Sequence, residues 1–226
     1  MFFNGNVKRV VTVAPHPDDE TIGAGGMIAR LGESGIETFI CVVTKPYEPD
    51  WPAGTEEKAK EQARKAFEIL GVKGDRFLGF PTVKLNTVPY KKLVDAIRAF
   101  IEEISPQLVL APHPGDLNLD HDIVSRAVAV ASRPAGNAGP TLLYYETLSS
   151  TEWGRIFRGG AFRPNVFIDI SATFEKKRQA ARCYVSEMKA YPHPRSEEGI
   201  EVLARMRGME AGLTLAEAFQ LVISIE

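Results

Sequence analysis

The chain has 226 residues, of which 44% are hydrophobic and 25% charged, and its formal net charge is -2. This length suits one α/β domain with a substantial core, spanning 1–226, and no linker or internal repeat is visible. The balanced charge argues against a nucleic-acid partner. Met1 to Arg9 lacks the apolar core of a signal peptide, and no apolar run is long enough to span a bilayer. We therefore expect a cytoplasmic protein without a membrane contact.

A run of β-branched residues at Val10–Val13 is typical of a buried strand. Pro15 and Pro17 end this strand and hold His16 between them in a stiff, extended turn. Three acidic residues follow the second proline: Asp18, Asp19 and Glu20. A turn does not need this many metal-binding or proton-transferring groups. In α/β sheets, ligands bind just past the carboxyl ends of strands.

The spacing of His16 and Asp19 brings an imidazole and a carboxylate to the same side of a turn that enters a helix. These donors suit zinc, although iron(II) and manganese accept the same set. Asp18 points elsewhere and is a candidate acceptor for a proton from a metal-bound water. A simpler interpretation is that Asp18 or Asp19 caps a helix beginning near Thr21, but it leaves His16 unexplained.

The stretch Ala14-Pro15-His16-Pro17-Asp18-Asp19-Glu20 resembles the Ala-His-Pro-Asp-Asp-Glu signature of the LmbE-like (PIG-L) family of zinc-dependent N-acetylglucosaminyl deacetylases. One extra proline precedes the histidine here. The resemblance implies a Rossmann-like α/β fold with a mostly parallel sheet flanked by helices on both faces. It also implies hydrolysis of the acetyl group from an N-acetylated sugar or sugar conjugate, with release of acetate. In that family His16 and Asp19 would be zinc ligands and Asp18 the general base.

Strands and helices alternate through the rest of the chain, as in α/β proteins. Hydrophobic periodicity and turn residues predict helices at 21–34, 56–70, 88–104, 123–131, 171–188 and 200–212, and strands at 37–44, 75–80, 108–111, 141–147 and 167–170. Gly23, Gly25 and Gly26 do not complete a dinucleotide-binding pattern, because Ile28 stands where a glycine is required. We interpret these glycines as allowing close approach of the first helix to the sheet or to a ligand. Trp51, in a loop after the second strand, is a candidate for stacking on a sugar or for packing down as a lid.

A second polar cluster follows the buried strand at 108–111. It contains His113, Asn118, Asp120 and His121. Because parallel strands end at the same edge of a sheet, this cluster should meet the first one. His121 would then complete a site of two histidines and one carboxylate, with a position left for water.

This cluster resembles the second motif of the PIG-L family, which implies that His121 is the third zinc ligand. Asp120 would support a neighbouring imidazole or orient a ligand. Many members carry histidine where Asn118 stands, and asparagine can donate a hydrogen bond to an oxyanion but cannot transfer a proton at neutral pH. The general acid is left open between His113, which alternatively packs beneath the loop, and a protonated Asp18.

Near the C-terminus, two prolines again flank a histidine, in the segment Tyr191-Pro192-His193-Pro194-Arg195. The segment resembles a family loop that borders the substrate, so His193 and Arg195 are candidate substrate-binding residues. Alternatively, Arg195 pairs with Glu197 or Glu198 on the surface. The family resemblance also implies a homo-oligomer, a trimer or a hexamer.

Two other functions stay open at this point. One is metal-dependent hydrolysis of a different bond, such as a phosphoester, although two-metal phosphoesterases need more carboxylates. The other is a sugar-binding protein that has lost catalysis. Asn118 supports this alternative, because it stands where many family members carry a histidine. The leading prediction is a zinc-dependent deacetylase, with Fe2+ as the alternative metal and a small N-acetylated sugar as substrate.

Overall fold

A seven-stranded sheet forms the centre of the molecule. The structure is a computed structural model, and it describes residues 7–134, 139–154 and 160–224. The strands are β1 (Arg9–Ala14), β2 (Glu37–Lys45), β3 (Gly74–Pro81), β4 (Leu108–Pro112), β5 (Thr141–Tyr145), β6 (Val166–Asp169) and β7 (Ala216–Ile223). Their order is β3-β2-β1-β4-β5-β7-β6. β7 runs antiparallel to β5 and β6, and the remaining pairs are parallel.

Helices cover both faces of the sheet. They are α1 (Asp19–Glu33), α2 (Thr55–Leu70), α3 (Tyr90–Ile104), α4 (Leu119–Ala131), α5 (Thr151–Gly154), α6 (Phe174–Arg182) and α7 (Glu197–Ala211). One apolar core lies under α1, α2, α6 and α7, and a second lies under α3 and α4. The predicted Rossmann-like α/β fold, with a mostly parallel sheet and helices on both faces, is confirmed. Within the described ranges, none of the helices has both the length and the apolar character needed to cross a bilayer.

The two polar clusters follow two neighbouring strands. β1 and β4 are parallel, with Val10 beside Leu108 and Thr12 beside Leu110. The helix after β1 packs into one core and the helix after β4 packs into the other. A crevice opens where adjacent strands send their helices to opposite faces, and such crevices bind ligands in open α/β sheets. Both clusters therefore reach the same rim.

Two glycines in α1 let this helix lie directly on the sheet. A Cβ atom at Gly23 would lie 2.2 Å from Tyr145 Cδ2, and one at Gly26 would lie 2.7 Å from Ile170 Cγ2. Both distances are far below the separation at which carbon atoms attract each other. The prediction of close approach is confirmed for Gly23, against β5, and for Gly26, against the residue after β6, whereas a Cβ atom at Gly25 would lie 3.2 Å from Lys177 Cγ of α6.

A buried ion pair reaches into the middle of α1. The carboxylate of Glu217 accepts hydrogen bonds from the backbone N–H groups of Gly26 (2.8 Å) and Met27 (2.7 Å). Lys177 Nζ donates to the carbonyl of Ile22 at 2.7 Å and to Glu217 Oε1 at 2.6 Å. Side chains from α6 and β7 thus form hydrogen bonds with the backbone of α1, and the first residues of α1 belong to the first polar cluster.

Both helices that follow the clusters begin earlier than predicted. α1 begins at Asp19 rather than near Thr21, and α4 begins at Leu119 rather than Ile123. Their first turns contain acidic side chains, which the positive end of the helix dipole stabilises. The helices were predicted from the spacing of apolar residues. Because the first turns are polar, each helix was predicted to begin too late.

The prediction was less accurate at the C-terminal end. The helix predicted at 171–188 spans only Phe174–Arg182, and turns follow it. β7, in the interior of the sheet, was not predicted at all. The sequence of this segment does not show that it pairs with other strands. In the structure it pairs antiparallel with both β5 and β6.

Candidate metal centre

Three side chains from the two strand ends converge on one point. His16 Nδ1 lies 3.1 Å from Asp19 Oδ2, and His121 Nε2 lies 3.2 Å from each of these two atoms. The three atoms form a nearly equilateral triangle. Asp19 and His121 are buried, whereas the side chain of His16 is 20% exposed. The structure thus brings together the three residues that were predicted to bind the metal.

The triangle has the dimensions of one face of a tetrahedral metal site. Nitrogen and oxygen ligands about 2.0–2.1 Å from zinc lie roughly 3.3 Å from one another in a tetrahedron. Two imidazole nitrogens and one carboxylate oxygen are donors that zinc, iron(II) and manganese accept. In the described part of the chain, the other oxygen of Asp19 is buried without a hydrogen-bond partner. The residues therefore fit one divalent cation.

Each imidazole has a carboxylate on its far side. His16 Nε2 lies 3.1 Å from Asp120 Oδ2, and His121 Nδ1 lies 3.1 Å from Asp116 Oδ2. The second contact is close, but it is poorly aligned for a hydrogen bond. Burial alone would lower the pKa of these rings, but the surrounding carboxylates raise the pKa of His16 to about 9 and that of His121 to about 10. The excess of negative charge also favours a divalent cation between the rings.

The turn after β1 is held in an uncommon conformation. Asp18 has a φ of 120°, which residues other than glycine rarely adopt. Its N–H donates to Glu20 Oε2 at 3.2 Å, and Glu20 Oε1 accepts from the Tyr184 hydroxyl at 2.5 Å. The N–H of His16 donates to Asp19 Oδ2 at 2.9 Å. Hydrogen bonds within the turn and from the distant Tyr184 therefore stabilise the turn that presents these side chains.

Asp18 makes an ion pair instead of a helix cap. It occupies the position before α1, but its side chain makes no capping hydrogen bond. Asp18 Oδ2 accepts from Arg195 Nη1 at 2.6 Å. Burial and the neighbouring carboxylate of Asp19 raise the pKa of Asp18 well above its usual value, while Arg195 acts in the opposite direction. The interpretation of Asp18 as only a cap is wrong.

Arg195 lies over the site and is 15% exposed. Its Nη2 is 3.7 Å from Asp19 Oδ1, and its Nη1 is 3.6 Å from Glu187 Oε2. The N–H of Arg195 donates to His193 Nδ1 at 3.0 Å, so this histidine braces the loop. The alternative of a surface pair with Glu197 or Glu198 is wrong, because Arg195 is largely buried and the carboxylates that it contacts in the described structure are those of Asp18, Asp19 and Glu187.

The loop after β4 is organised by Asn118 and Asp116. Asn118 Oδ1 accepts from the N–H of Asp120 at 2.9 Å and caps α4, which leaves the amide NH2 as its donor. Asp116 is fully buried, and it accepts from Thr151 Oγ1 at 2.8 Å and from the Ser150 hydroxyl. These bonds place its carboxylate behind His121, the second candidate histidine ligand.

A cleft of about 470 Å³ borders the three converging side chains at His16, while Asp19 and His121 lie beneath its lining. His16, Asp18, Asn118, Arg195 and Trp51 line it, and Trp51 packs edge-to-face on Tyr47 with a centroid distance of 5.3 Å. The volume lies within the range of small-molecule sites. Four predicted site residues and the candidate stacking ring therefore share one space.

His113 does not line this cleft. It is 3% exposed and packs edge-to-face on Tyr144 and Phe162, at centroid distances of 6.3 and 5.3 Å. Its Nδ1 accepts from the N–H of Gly115 at 3.0 Å, and burial lowers its pKa. The position favours packing beneath the loop over proton transfer. His193 is also absent from the lining, and its Nδ1 accepts a hydrogen bond from the Arg195 backbone.

A model of the PIG-L family, described as GlcNAc-PI de-N-acetylase, matches residues 11–132. The match covers more than half of the chain and both polar clusters. This chain belongs to the PIG-L family. The family prediction made from the two motifs is confirmed, and so is the class of enzyme, an N-deacetylase.

PIG-L relatives resemble the chain over most of its length. The diacetylchitobiose deacetylase of Thermococcus kodakarensis is 29% identical, over 97% of this chain and 85% of its own. A probable N-acetyl-α-D-glucosaminyl L-malate deacetylase of Bacillus cereus is 28% identical, over 81% and 85%. The solved N,N′-diacetylchitobiose deacetylase from Pyrococcus horikoshii superposes with a TM-score of 0.80 at 21% identity, over 98% and 86%. This last similarity shows the shared fold.

Two residues of this PIG-L site had no role assigned from the sequence. Glu20 closes the first motif and braces the backbone of Asp18, and Asp116 stands five residues before His121 and lies behind it. An additional acidic residue within a few positions of a predicted metal ligand is a sequence signal that could have identified both. Their partners, Tyr184 and Thr151, come from distant segments that no local pattern connects to the motifs.

Proposed function

We propose that the protein hydrolyses the acetamide bond of an N-acetylated sugar or sugar conjugate and releases acetate. The observation that carries this proposal is the triangle of His16 Nδ1, Asp19 Oδ2 and His121 Nε2 beside a cleft. These atoms would hold one divalent cation, zinc in the first place and iron(II) as the alternative. When bound, the cation lowers the pKa of a water molecule and polarises the acetyl carbonyl.

Asp18 is the proton acceptor in this proposal. Its carboxylate is buried, lines the cleft and is oriented by Arg195 at 2.6 Å. Burial makes it a stronger base than an exposed aspartate, and Asp18 Oδ1 is the oxygen not engaged by Arg195 Nη1. A carboxylate in this position takes a proton from the attacking water as the carbon–oxygen bond forms.

Protonation of the leaving amine is assigned to the same residue. Asp18, protonated after the first step, returns its proton to the sugar nitrogen as the carbon–nitrogen bond breaks. Asn118 cannot supply that proton, but its amide NH2 can donate to the oxygen on which negative charge develops. His113 does not line the cleft, so we do not assign it the role of general acid.

The cleft holds the sugar itself in this proposal. Trp51 offers an aromatic face for a pyranose ring, and Arg195 offers donors for its hydroxyl groups. His193 contributes by holding the backbone of Arg195. The trimer or hexamer expected from the family stays a prediction, which light scattering tests.

The decisive experiment is acetate release from a panel of N-acetylated sugars and conjugates, before and after chelation and with zinc or iron(II) restored. We expect release that is lost with chelator, and a fall of about 100-fold or more in kcat for Asp18→Asn with bound metal unchanged. Release that survives complete removal of metal would overturn the proposal. Model phosphoesters in the same assay test the alternative bond, and binding of a sugar without acetate release would indicate lost catalysis.

A further inference from the structure

The cleft extends beyond the metal centre along one face of α2. The residues of this helix that line it are Thr55, Lys58, Ala59 and Gln62. Their spacing of three, four and seven residues places them on a single stripe of the helix. The apolar stripe of α2, ending at Phe67 and Leu70, packs into the core instead. This wall of the cleft therefore carries hydrogen-bonding and charged groups that the packing of α2 does not require.

Lys58 differs from the other cations of α2. Each of the other three makes an ion pair: Lys60 with Glu56 at 2.5 Å, Lys65 with Glu61 at 2.7 Å, and Arg64 with Asp75 at 3.6 Å. Among the residues that the structure describes, no carboxylate forms an ion pair with Lys58. Lys58 thus adds to the lining of the cleft a positive charge that no described carboxylate pairs with.

The lining of the cleft also contains negative charge. Asp18 and Glu187 line it together with Arg195, which lies within 4 Å of both carboxylates. An anionic group on a substrate would be repelled by these carboxylates and attracted by Lys58. Gln62, four residues after Lys58 on the same stripe, adds an amide that can donate a hydrogen bond. The charges of the lining therefore favour a position beside Lys58 for an anionic group of a conjugate.

We propose that this wall of α2 binds the part of the substrate beyond the N-acetylated sugar, and that Lys58 selects conjugates with a carboxylate or phosphate there. This inference rests on the proposed deacetylase function and specifies its substrate class. The ammonium group contacts a part of the substrate that does not react. Its attraction is therefore equal in the ground and transition states, and it lowers KM without changing kcat.

The test compares three conjugates of N-acetylglucosamine. The probes are the L-malate conjugate, the 1-phosphate and neutral N,N′-diacetylchitobiose. KM and kcat are measured for the wild type, Lys58→Gln, Lys58→Arg and the matched control Lys65→Gln. The control removes the same charge from the same helix, at an exposed side chain outside the cleft. Calorimetric binding of each conjugate accompanies the kinetics, and circular dichroism checks that each variant is folded.

We expect Lys58→Gln to raise KM for an anionic conjugate by roughly three- to tenfold more than for chitobiose. Lys58→Arg should retain most of the preference, Lys65→Gln should not change it, and about 0.3 M salt should weaken it. An effect on the malate conjugate alone or on the phosphate alone identifies the anion. Equal changes in KM for charged and neutral conjugates, or no change in KM, would overturn the role of Lys58. Acetate release in the same assay would still support the deacetylase function. Charge-dependent binding without acetate release would overturn the deacetylase function and keep the anion site.

Discussion

Arg195 and Asp18 form a 2.6 Å ion pair between residues that are 177 positions apart in the chain. The pair joins the loop before α7 to the turn after β1, and both side chains are largely buried. Arg195 also approaches Asp19 at 3.7 Å. The candidate base and one candidate metal ligand are therefore oriented by the same guanidinium.

The first prediction concerns this guanidinium. We expect Arg195→Ala to lower kcat by about 100-fold, because the Asp18 carboxylate loses its orienting partner and is left buried without a counter-charge. Arg195→Lys should recover only part of the rate, since an ammonium cannot make the same forked contact. Steady-state kinetics on any active substrate measure both effects. Arg182→Ala, which breaks an exposed pair with Glu197, is the control, and equal rates in the two alanine variants would contradict the role of Arg195.

The second prediction concerns the metal ligands. Replacing His16 or His121 by alanine should reduce bound zinc well below one ion per chain, because each supplies one of three converging atoms. Elemental analysis of the purified proteins measures the metal. Chelator should also lower the melting temperature of the wild type more than that of either variant. His193→Ala should keep its metal, and unchanged zinc in both ligand variants would disprove the ligand set.

The third prediction separates Asp116 from the ligands themselves. Asp116→Asn keeps the size of the side chain but removes the charge 3.1 Å from His121 Nδ1. We expect zinc affinity to fall by about 10- to 100-fold, as is typical when the partner of a ligating histidine is lost. Competition with a chromogenic chelator measures this affinity. Asp95→Asn, which removes an exposed carboxylate from α3, is the control, and equal affinities in the two variants would leave Asp116 with no role at the metal.

The fourth prediction concerns the ion pair inside α1. Lys177 and Glu217 are each 4% exposed, so removing one leaves a buried charge unpaired. Lys177→Met should lower the free energy of unfolding by about 3–5 kcal/mol, and Lys177→Met with Glu217→Leu should recover part of that loss. Urea denaturation measures both. Lys65→Met breaks an exposed pair and should change stability by less than about 1 kcal/mol, so a similarly small effect of Lys177→Met would show that the buried pair is not stabilising.

The alternation of strands and helices could be predicted because buried strands and helices place their apolar residues in recognisable patterns along the sequence. Val10–Val13 is a run of β-branched residues and Leu108–Ala111 is a continuous apolar run, and each is followed by polar residues at the end of a parallel strand. The prediction was wrong where the pattern of apolar residues does not show the element or its end. β7 is a strand through its pairing with two neighbours, and α6 ends at Arg182 because the following residues turn to place Tyr184 against Glu20.

The sequence by itself determined the fold class, the family and the three residues that converge on one point, because those residues lie in short motifs directly after buried strands. Only the tertiary structure decided which side chains stand behind them. Asp116 lies against His121, Arg195 lies against Asp18, and His113 packs away from the cleft. Periodicity encodes which face of an element is buried, but not which distant residues meet across it, and these contacts depend on how the helices and loops pack at the rim of the sheet.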